Sequence, residues 1–308
     1  MKLTILTIRS HFNTSTKSER YMIKNNDFEH IKVDYLKKEA KSDTFSEDIK
    51  GQYAIISLNR PEKLNAITLQ TIREITLALD QMELDENIRC VILRGTKHFT
   101  KKPSFSTGAD LSNPLDPSLK MNIPIHMTLA IHQLHKYFNL IEAFPKPLIA
   151  AVDGYALGGG CELALTCDIV IASKRSSFGF TEILRGIFPA GGGTQRMARH
   201  IGANQALKML YFGKRYSADQ MEKMGFVNYV IDDDDFEDFI HEKASFLSNA
   251  ATTALIIIKK CLKFGTQVPP GIGLKLEPFG CGVNSATDDK KEGIEAFREK
   301  RTPKFKGI

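Results

Sequence analysis

The chain has no tryptophan, only five cysteines in 308 residues, and no long apolar run. Each shortage excludes something. The longest uninterrupted apolar stretches, Ala254 to Ile258 and Pro147 to Val152, fall far short of the ~20 residues that a membrane-spanning helix needs. No membrane association is therefore expected. The cysteines (Cys90, Cys161, Cys167, Cys261 and Cys281) are odd in number, and no two have CxxC spacing. That argues against a disulfide framework and against a zinc site, and for reduced, mostly buried thiols. Strong charge of one sign is missing too. With 42 Lys+Arg against 36 Asp+Glu, the net charge is +6. Residues 1–26 hold Lys2, Arg9, Lys17, Arg20 and Lys24 against Glu19, so +4 of that charge sits in the first segment and +2 in the rest. The body lacks the basic footprint of a nucleic-acid binder, and no nucleic-acid partner is expected. Mild positive charge still suits an anionic small molecule. GxGxxG, GxxxxGK[ST], GxSxG and HExxH are all absent, which removes the common nucleotide, serine-hydrolase and zincin signatures.

What is present is an ordinary globular composition, 42% hydrophobic and 25% charged, in a chain long enough for one large domain or two smaller ones. Residues 1–26 are rich in Ser, Thr and Asn and free of acids until Glu19. They read as an N-terminal extension: a disordered tail, a segment upstream of a start at Met22, or a mitochondrial transit peptide. The expected compartment is the cytoplasm, or the mitochondrial matrix if that segment targets. Alternation from His30 to Leu36 predicts a strand, and Lys37 to Lys50 a polar linker. Tyr53 to Leu58 predicts a second strand, closed by an Asn59-Arg60-Pro61 turn. Residues 68–84 have helical periodicity through Leu69, Ile72, Ile75, Leu77, Leu79 and Met82. Strands follow at Cys90 to Arg94, Pro147 to Val152 and Asp168 to Ala172, with helices at Thr128 to Glu142 and from Cys161. This alternation from about 50 to 230 predicts an α/β domain. Beyond Ser217 the pattern is mostly helical. Asp232 to Asp235 read as solvated acids at a helix start rather than as a metal site. His132 and His135, at i and i+3, could face a metal, but read rather as a helix-surface or partly buried pair.

The most informative stretch is Val152-Asp-Gly-Tyr-Ala-Leu-Gly-Gly-Gly-Cys-Glu-Leu-Ala. A buried-type strand runs into three glycines and then a helix. Glycines there allow a sharp turn and close approach of backbone to a ligand. The first helical amides lack intrahelical partners and suit an anionic oxygen. Glu162 lies in the first turn. The alternative is a tight packing turn with an acid placed favourably at a helix start. Twenty residues on, Glu182 lies in Phe178-Gly-Phe-Thr-Glu-Ile-Leu-Arg-Gly, among apolar neighbours. A carboxyl in such a setting has its pKa raised, which suits acid–base work. An exposed or salt-bridged Glu is the plainer alternative.

Taken in order, several segments resemble the crotonase (enoyl-CoA hydratase/isomerase) family. They are Leu58-Asn-Arg-Pro-Glu-Lys-Leu-Asn-Ala66, Phe105-Ser-Thr-Gly-Ala-Asp110, Lys146 to Ala164, Phe178 to Gly186, Pro189 to Arg196, and the C-terminal stretch from Ala286 to Lys306. The resemblance covers roughly residues 28–308. It implies a spiral of ββα units over 27–217 with the active site, and a C-terminal helical assembly region over 218–308. It implies trimers or dimers of trimers. It implies an oxyanion hole from the backbone N–H groups of Ala109 and Gly159, and acid–base catalysis by Glu162 and Glu182. Substrate contacts would come from Ala66, Ala109, Asp110, Leu111, Ser112 and Gly159. The implied reaction is reversible addition of water to a 2-enoyl-CoA thioester. No metal or separate cofactor is expected, since coenzyme A is part of the substrate. Two departures stand out. Ala190 replaces a glycine common after the proline, and Ser112 stands where a lysine often reaches the CoA. Phosphate contacts would then fall to Lys63, Lys97, Lys101 or Lys102. A Δ3,Δ2-enoyl-CoA isomerase needs one base, so the second glutamate favours the hydratase. A non-catalytic RNA-binding relative is the alternative outside enzymes.

Overall fold

The computed structural model describes residues 28–36, 51–97, 102–113, 115–116 and 118–308. The expected N-terminal extension over 1–26, the linker from Lys37 to Lys50 and Lys101 lie outside them. Six strands form one sheet, in the order β1 (Ile31–Leu36), β2 (Gln52–Leu58), β3 (Ile88–Gly95), β5 (Leu148–Val152), β7 (Ile169–Ser173) and β10 (Tyr229–Ile231). Among the described residues of this sheet, only β1 runs antiparallel to its neighbour. A smaller sheet holds β4 (Ser104–Ser106), β6 (Tyr155–Leu157), β8 (Ser177–Gly179) and β9 (Tyr216–Ser217). The chain visits the two sheets alternately: β3 then β4, β5 then β6, β7 then β8. Each visit adds one strand to each sheet, which is the expected spiral.

The central strands are buried on both faces, as parallel strands covered on both sides must be. Ala54, Ile56, Val91, Leu93, Ala150 and Val152 face one core. Tyr53, Ile55, Cys90, Ile92, Ile149 and Ala151 face a second, closed by Phe236, Ile240 and Ala244 of α7 (Phe236–Asn249). This double burial explains the uninterrupted apolar runs at 90–93 and 148–152.

α1 (Leu69–Glu83) starts at Thr68, whose hydroxyl accepts the Thr71 amide at 3.2 Å. It buries Ile72, Ile75, Ala78, Leu79 and Met82. Leu77, assigned to the same face in the sequence, is 44% exposed. At 100° per residue it lies about 200° from Ile75, on the far side. α2 (Pro124–Ala143) begins one turn before the expected Thr128, because Pro124 supplies a first helical residue that has no N–H to satisfy. α3 (Gly159–Ala164), α4 (Gly193–Ile201), α5 (Ala203–Phe212) and α6 (Ala218–Met224) follow. The expected boundary at 217 falls just before α6, and β10 beyond it still joins the large sheet beside β7. Asp235 then precedes α7, and Lys174 pairs with Asp232 at 3.0 Å.

The C-terminal region consists of α8 (Thr252–Gly265), α9 (Pro270–Gly273), α10 (Leu276–Ser285) and α11 (Asp288–Glu299). It is tied to the spiral by ions. Lys259 reaches Asp168 at 2.6 Å and Lys263 reaches it at 3.1 Å. The chain end is pinned as well, with Arg89 donating to the carbonyls of Phe305 and Lys306. Among the described residues, no helix is long and apolar enough to cross a membrane.

Candidate active site

The site forms where four segments from different turns of the spiral meet. The first is the loop after β4. Gly108 takes φ +95°, a conformation open to glycine, and turns the chain toward Ile67. Ile67 N–H donates to Gly108 O at 2.7 Å, and Asp110 N–H donates to Ile67 O at 2.9 Å. In such a parallel bridge the flanking residues carry the bonds. The N–H of Ala109, the bridged residue, therefore points away from Ile67.

The loop is held from outside by Arg60. Its guanidinium donates to Ala66 O at 2.7 Å and to the Asp110 carboxylate at 2.8 Å. Asp110 also accepts from Ser112 and from Asn113. These bonds, first from Ser112 and then from Arg60, hold its carboxyl well below the usual range. Of the expected substrate contacts, Ala109 and Asp110 lie on this loop and Ala66 on the adjoining segment before α1, the two joined through Arg60. The Asp110 side chain is engaged by its own neighbours. Leu111 is exposed, as is Ser112 beside it. Of the expected phosphate ligands, Lys97 is paired with Asp153 at 3.2 Å.

The second segment is the glycine turn after β6. Gly158 N–H donates to Gly179 O at 2.8 Å, and Gly158 has φ 51° and ψ −123°. Gly159 opens α3, so its N–H has no acceptor within the helix. A Cβ added at Gly159 would lie 3.4 Å from the Ala109 nitrogen. The expected pair of amides therefore borders one gap.

Glu162, one turn into α3, is buried. The third segment, the turn into α4, wraps its carboxyl. Gly193 N–H donates to Glu162 Oε1 at 2.8 Å, and the Gly191 amide also faces the group. A Cβ at Gly191 would collide with Glu162 Oε2. Burial pushes the Glu162 pKa up from 4.5 to about 7; the Gly193 and Gly191 amides pull against this, and Glu182 adds to it.

The fourth segment is the short 3₁₀ turn Glu182–Arg185 after β8. Glu182 leans over the glycine turn: a Cβ on Gly158 would lie 2.8 Å from Glu182 Oε1. Its Oε2 is buried without a hydrogen-bond partner. Burial raises its pKa, against the nearby Arg185. Two carboxyls of raised proton affinity therefore flank two backbone amides. Such a set can polarise a carbonyl oxygen and move protons beside it. Among the described residues, no group of three or more His, Cys, Asp or Glu is placed to hold a metal ion.

Contacts around this site go beyond the sequence reading. His135 is partly buried, one of the two settings expected for it. Its Nε2 lies 2.6 Å from Ala190 O, at the turn that wraps Glu162, while His132 is exposed. Arg60 and Arg196 also hold loops of the site.

A family model described as enoyl-CoA hydratase/isomerase matches residues 48–308. The chain is 36% identical over 253 residues to the 2,3-dehydroadipyl-CoA hydratase of Escherichia coli, covering 82% of this chain and 94% of that one. It is 35% identical over 251 residues to the short-chain-enoyl-CoA hydratase of Clostridium acetobutylicum, with 82% and 93% covered. The crystal structure of enoyl-CoA hydratase from Bacillus anthracis superposes with a TM-score of 0.78 at 33% identity, over 91% of this chain and 100% of that chain. The chain belongs to the enoyl-CoA hydratase/isomerase, or crotonase, family, and its mixed α/β architecture is the fold of that family.

Proposed function

We propose that the protein is an enoyl-CoA hydratase. The observation that carries this is the pairing of buried Glu162 with half-buried Glu182 beside the Gly158–Gly159 turn. The thioester carbonyl oxygen of a 2-enoyl-CoA sits between the Ala109 and Gly159 amides. Negative charge grows on that oxygen as water attacks, and each preorganised donor contributes on the order of 3–4 kcal/mol. Glu162 accepts a proton from the water whose oxygen bonds to the β-carbon. Glu182 delivers a proton to the α-carbon. The sum is water added across the double bond, and the reverse steps dehydrate a 3-hydroxyacyl-CoA. A proton affinity near neutrality is what a group needs to accept and release a proton in turn.

The test is loss of the enoyl-thioester absorbance of crotonyl-CoA on adding purified protein. Glu162→Gln and Glu182→Gln should each lower kcat by about 10²–10⁴-fold. Either variant retaining wild-type turnover refutes the assigned roles. Product mass separates hydration, which adds water, from isomerisation, which does not. A trimer or dimer of trimers is part of the same proposal. It is supported by large apolar side chains left exposed on the C-terminal helices, among them Phe279 at 77% and Phe297 at 85%. Light scattering would read a monomer if this is wrong.

A further inference from the structure

We propose that the polar stripe of α2 formed by His135, Asn139 and Glu142, together with Arg196 of α4, is a positioning unit that aims the amides of the 190–193 turn at the Glu162 carboxylate. This rests on the hydratase reading and deepens it. The three α2 residues are spaced i, i+4 and i+7, so they line one face of the helix. Leu134, Phe138 and Ile141 beside them anchor that helix in the core.

His135 Nε2 donates to Ala190 O at 2.6 Å. No cis peptide bond occurs among the described residues, so the Ala190–Gly191 peptide is trans. In a trans peptide the C=O and N–H point in opposite directions. Holding Ala190 O against α2 therefore turns the Gly191 N–H away from α2, to the side where Glu162 lies. Arg196 holds the next carbonyl, donating to Gly191 O at 3.1 Å. Its guanidinium is fixed in turn by Glu142 Oε2 at 2.8 Å and Asn139 Oδ1 at 2.7 Å. The turn delivered this way ends at Gly193, whose N–H bonds Glu162 Oε1 at 2.8 Å. The Gly191 amide thus shares its peptide plane with the carbonyl that His135 holds, and the Gly193 amide lies one peptide beyond the carbonyl that Arg196 holds. The Arg196–Glu142 pair is partly exposed, and such pairs add little to stability. Fixing the turn gives these polar contacts a purpose that stability does not.

The charged and titratable groups around Glu162 come from every neighbouring element. Glu182 faces it from the 3₁₀ turn, Arg196 from α4, Cys161 from its own helix, and His135 and Glu142 stand behind the turn on α2. Arg185 faces Glu182 instead. Loosening the turn weakens donors to the ionised carboxylate, so Glu162 should hold its proton to higher pH.

The test uses the full chain. Wild-type crotonyl-CoA hydration is measured first, then His135→Leu, His135→Gln, Arg196→Met and Glu142→Gln. Read-outs are kcat, KM, the pH profile of kcat/KM, and the pH titration of the Glu162 carboxyl carbon by NMR, assigned from its loss in Glu162→Gln. His135→Leu and Arg196→Met should lower kcat about tenfold, or about 1.4 kcal/mol, and leave KM nearly unchanged. The Glu162 midpoint should move to higher pH. His135→Gln, which keeps a donor, should recover most of the loss. Should His135→Leu not fold, Glu142→Gln carries the test, with a smaller change in the same direction. An unmoved Glu162 midpoint in folded variants overturns the proposal, even if they melt earlier. If wild type fails to hydrate crotonyl-CoA, the hydratase reading falls, while the NMR titration still decides this one.

Discussion

Glu162→Gln should make the protein more stable with respect to wild type at alkaline pH than at acid pH. Burial lifts the Glu162 carboxyl from 4.5 to about 7. Relative to the unfolded chain, its ionised form is then penalised by on the order of 3 kcal/mol. The sign follows from proton counting. Between pH 4.5 and about 7 the folded protein keeps a proton that the unfolded chain releases. Stability therefore falls as pH rises through that window, and the full penalty stands above it. Glutamine has nearly the same shape and does not titrate. Its own offset, including an amide facing the Gly191 N–H, does not change with pH and cancels in the comparison. The assay is urea unfolding of both proteins at pH 5, 6, 7 and 8.5, at one fixed protein concentration because assembly adds to stability. The difference between variant and wild type should grow in the variant's favour by roughly 2–3 kcal/mol from the acid to the alkaline end. A flat difference would refute the reasoning, since it would mean that folding leaves the Glu162 proton affinity unchanged.

Other substitutions probe the remaining parts. Gly159→Ala places a methyl about 3.4 Å from the Ala109 nitrogen, inside the gap between the two amides. The protein should fold normally while kcat drops by about 10²-fold or more, checked by circular dichroism alongside turnover. Asp110→Asn removes the charged partner of Arg60. It should loosen the Ala109 loop, with a loss of roughly 1–3 kcal/mol in stability by urea unfolding and a fall in kcat. Lys146 is buried and donates to the carbonyls of Met82, Asp85 and Ile88, each at 2.7 Å. Lys146→Met removes all three bonds, leaving Asp85 O its 3.2 Å bond from Ile88 N–H, and should lower stability by about 2–4 kcal/mol by the same measure.

Much of the fold was legible because it rests on local patterns. The runs at 90–93 and 148–152 announced strands buried on both faces, and the 3.6-residue period announced α1. Leu77 shows the limit of that method. A hydrophobic residue fits a period loosely, and only its angle around the axis decides burial. At the site, the glycine turn and both glutamates were visible because their residue types are unusual for their local setting. The clamp on Glu162 was not. His135 and Ala190 are 55 residues apart, and the 2.6 Å contact between them spans the rest of α2, α3 and four strands of chain. The stripe at 135, 139 and 142 was readable as one helix face. Its partner was not, because long-range placement depends on the whole spiral closing. Asp110 is a similar case. Its position beside Ala109 marked it as a site residue, while its carboxylate is taken up by Arg60, Ser112 and Asn113.

Two opposed effects meet on the Glu162 carboxyl. Burial alone would push Glu162 so far up that it would rarely ionise near neutral pH. Solvation alone would leave it near its ordinary 4.5, too weak a base for the role proposed for it above. The Gly193 and Gly191 amides and the Arg196 guanidinium counter the burial, and the sum falls at about 7. Glycine at 191 and 193 follows from this requirement. Each amide must reach the carboxylate where a Cβ would strike Glu162 at 191 or the Phe180 ring at 193. The glycines of the 190–193 turn thus set the acidity of a residue some thirty positions earlier in the chain. Substitutions there should alter pH dependence before they alter substrate affinity.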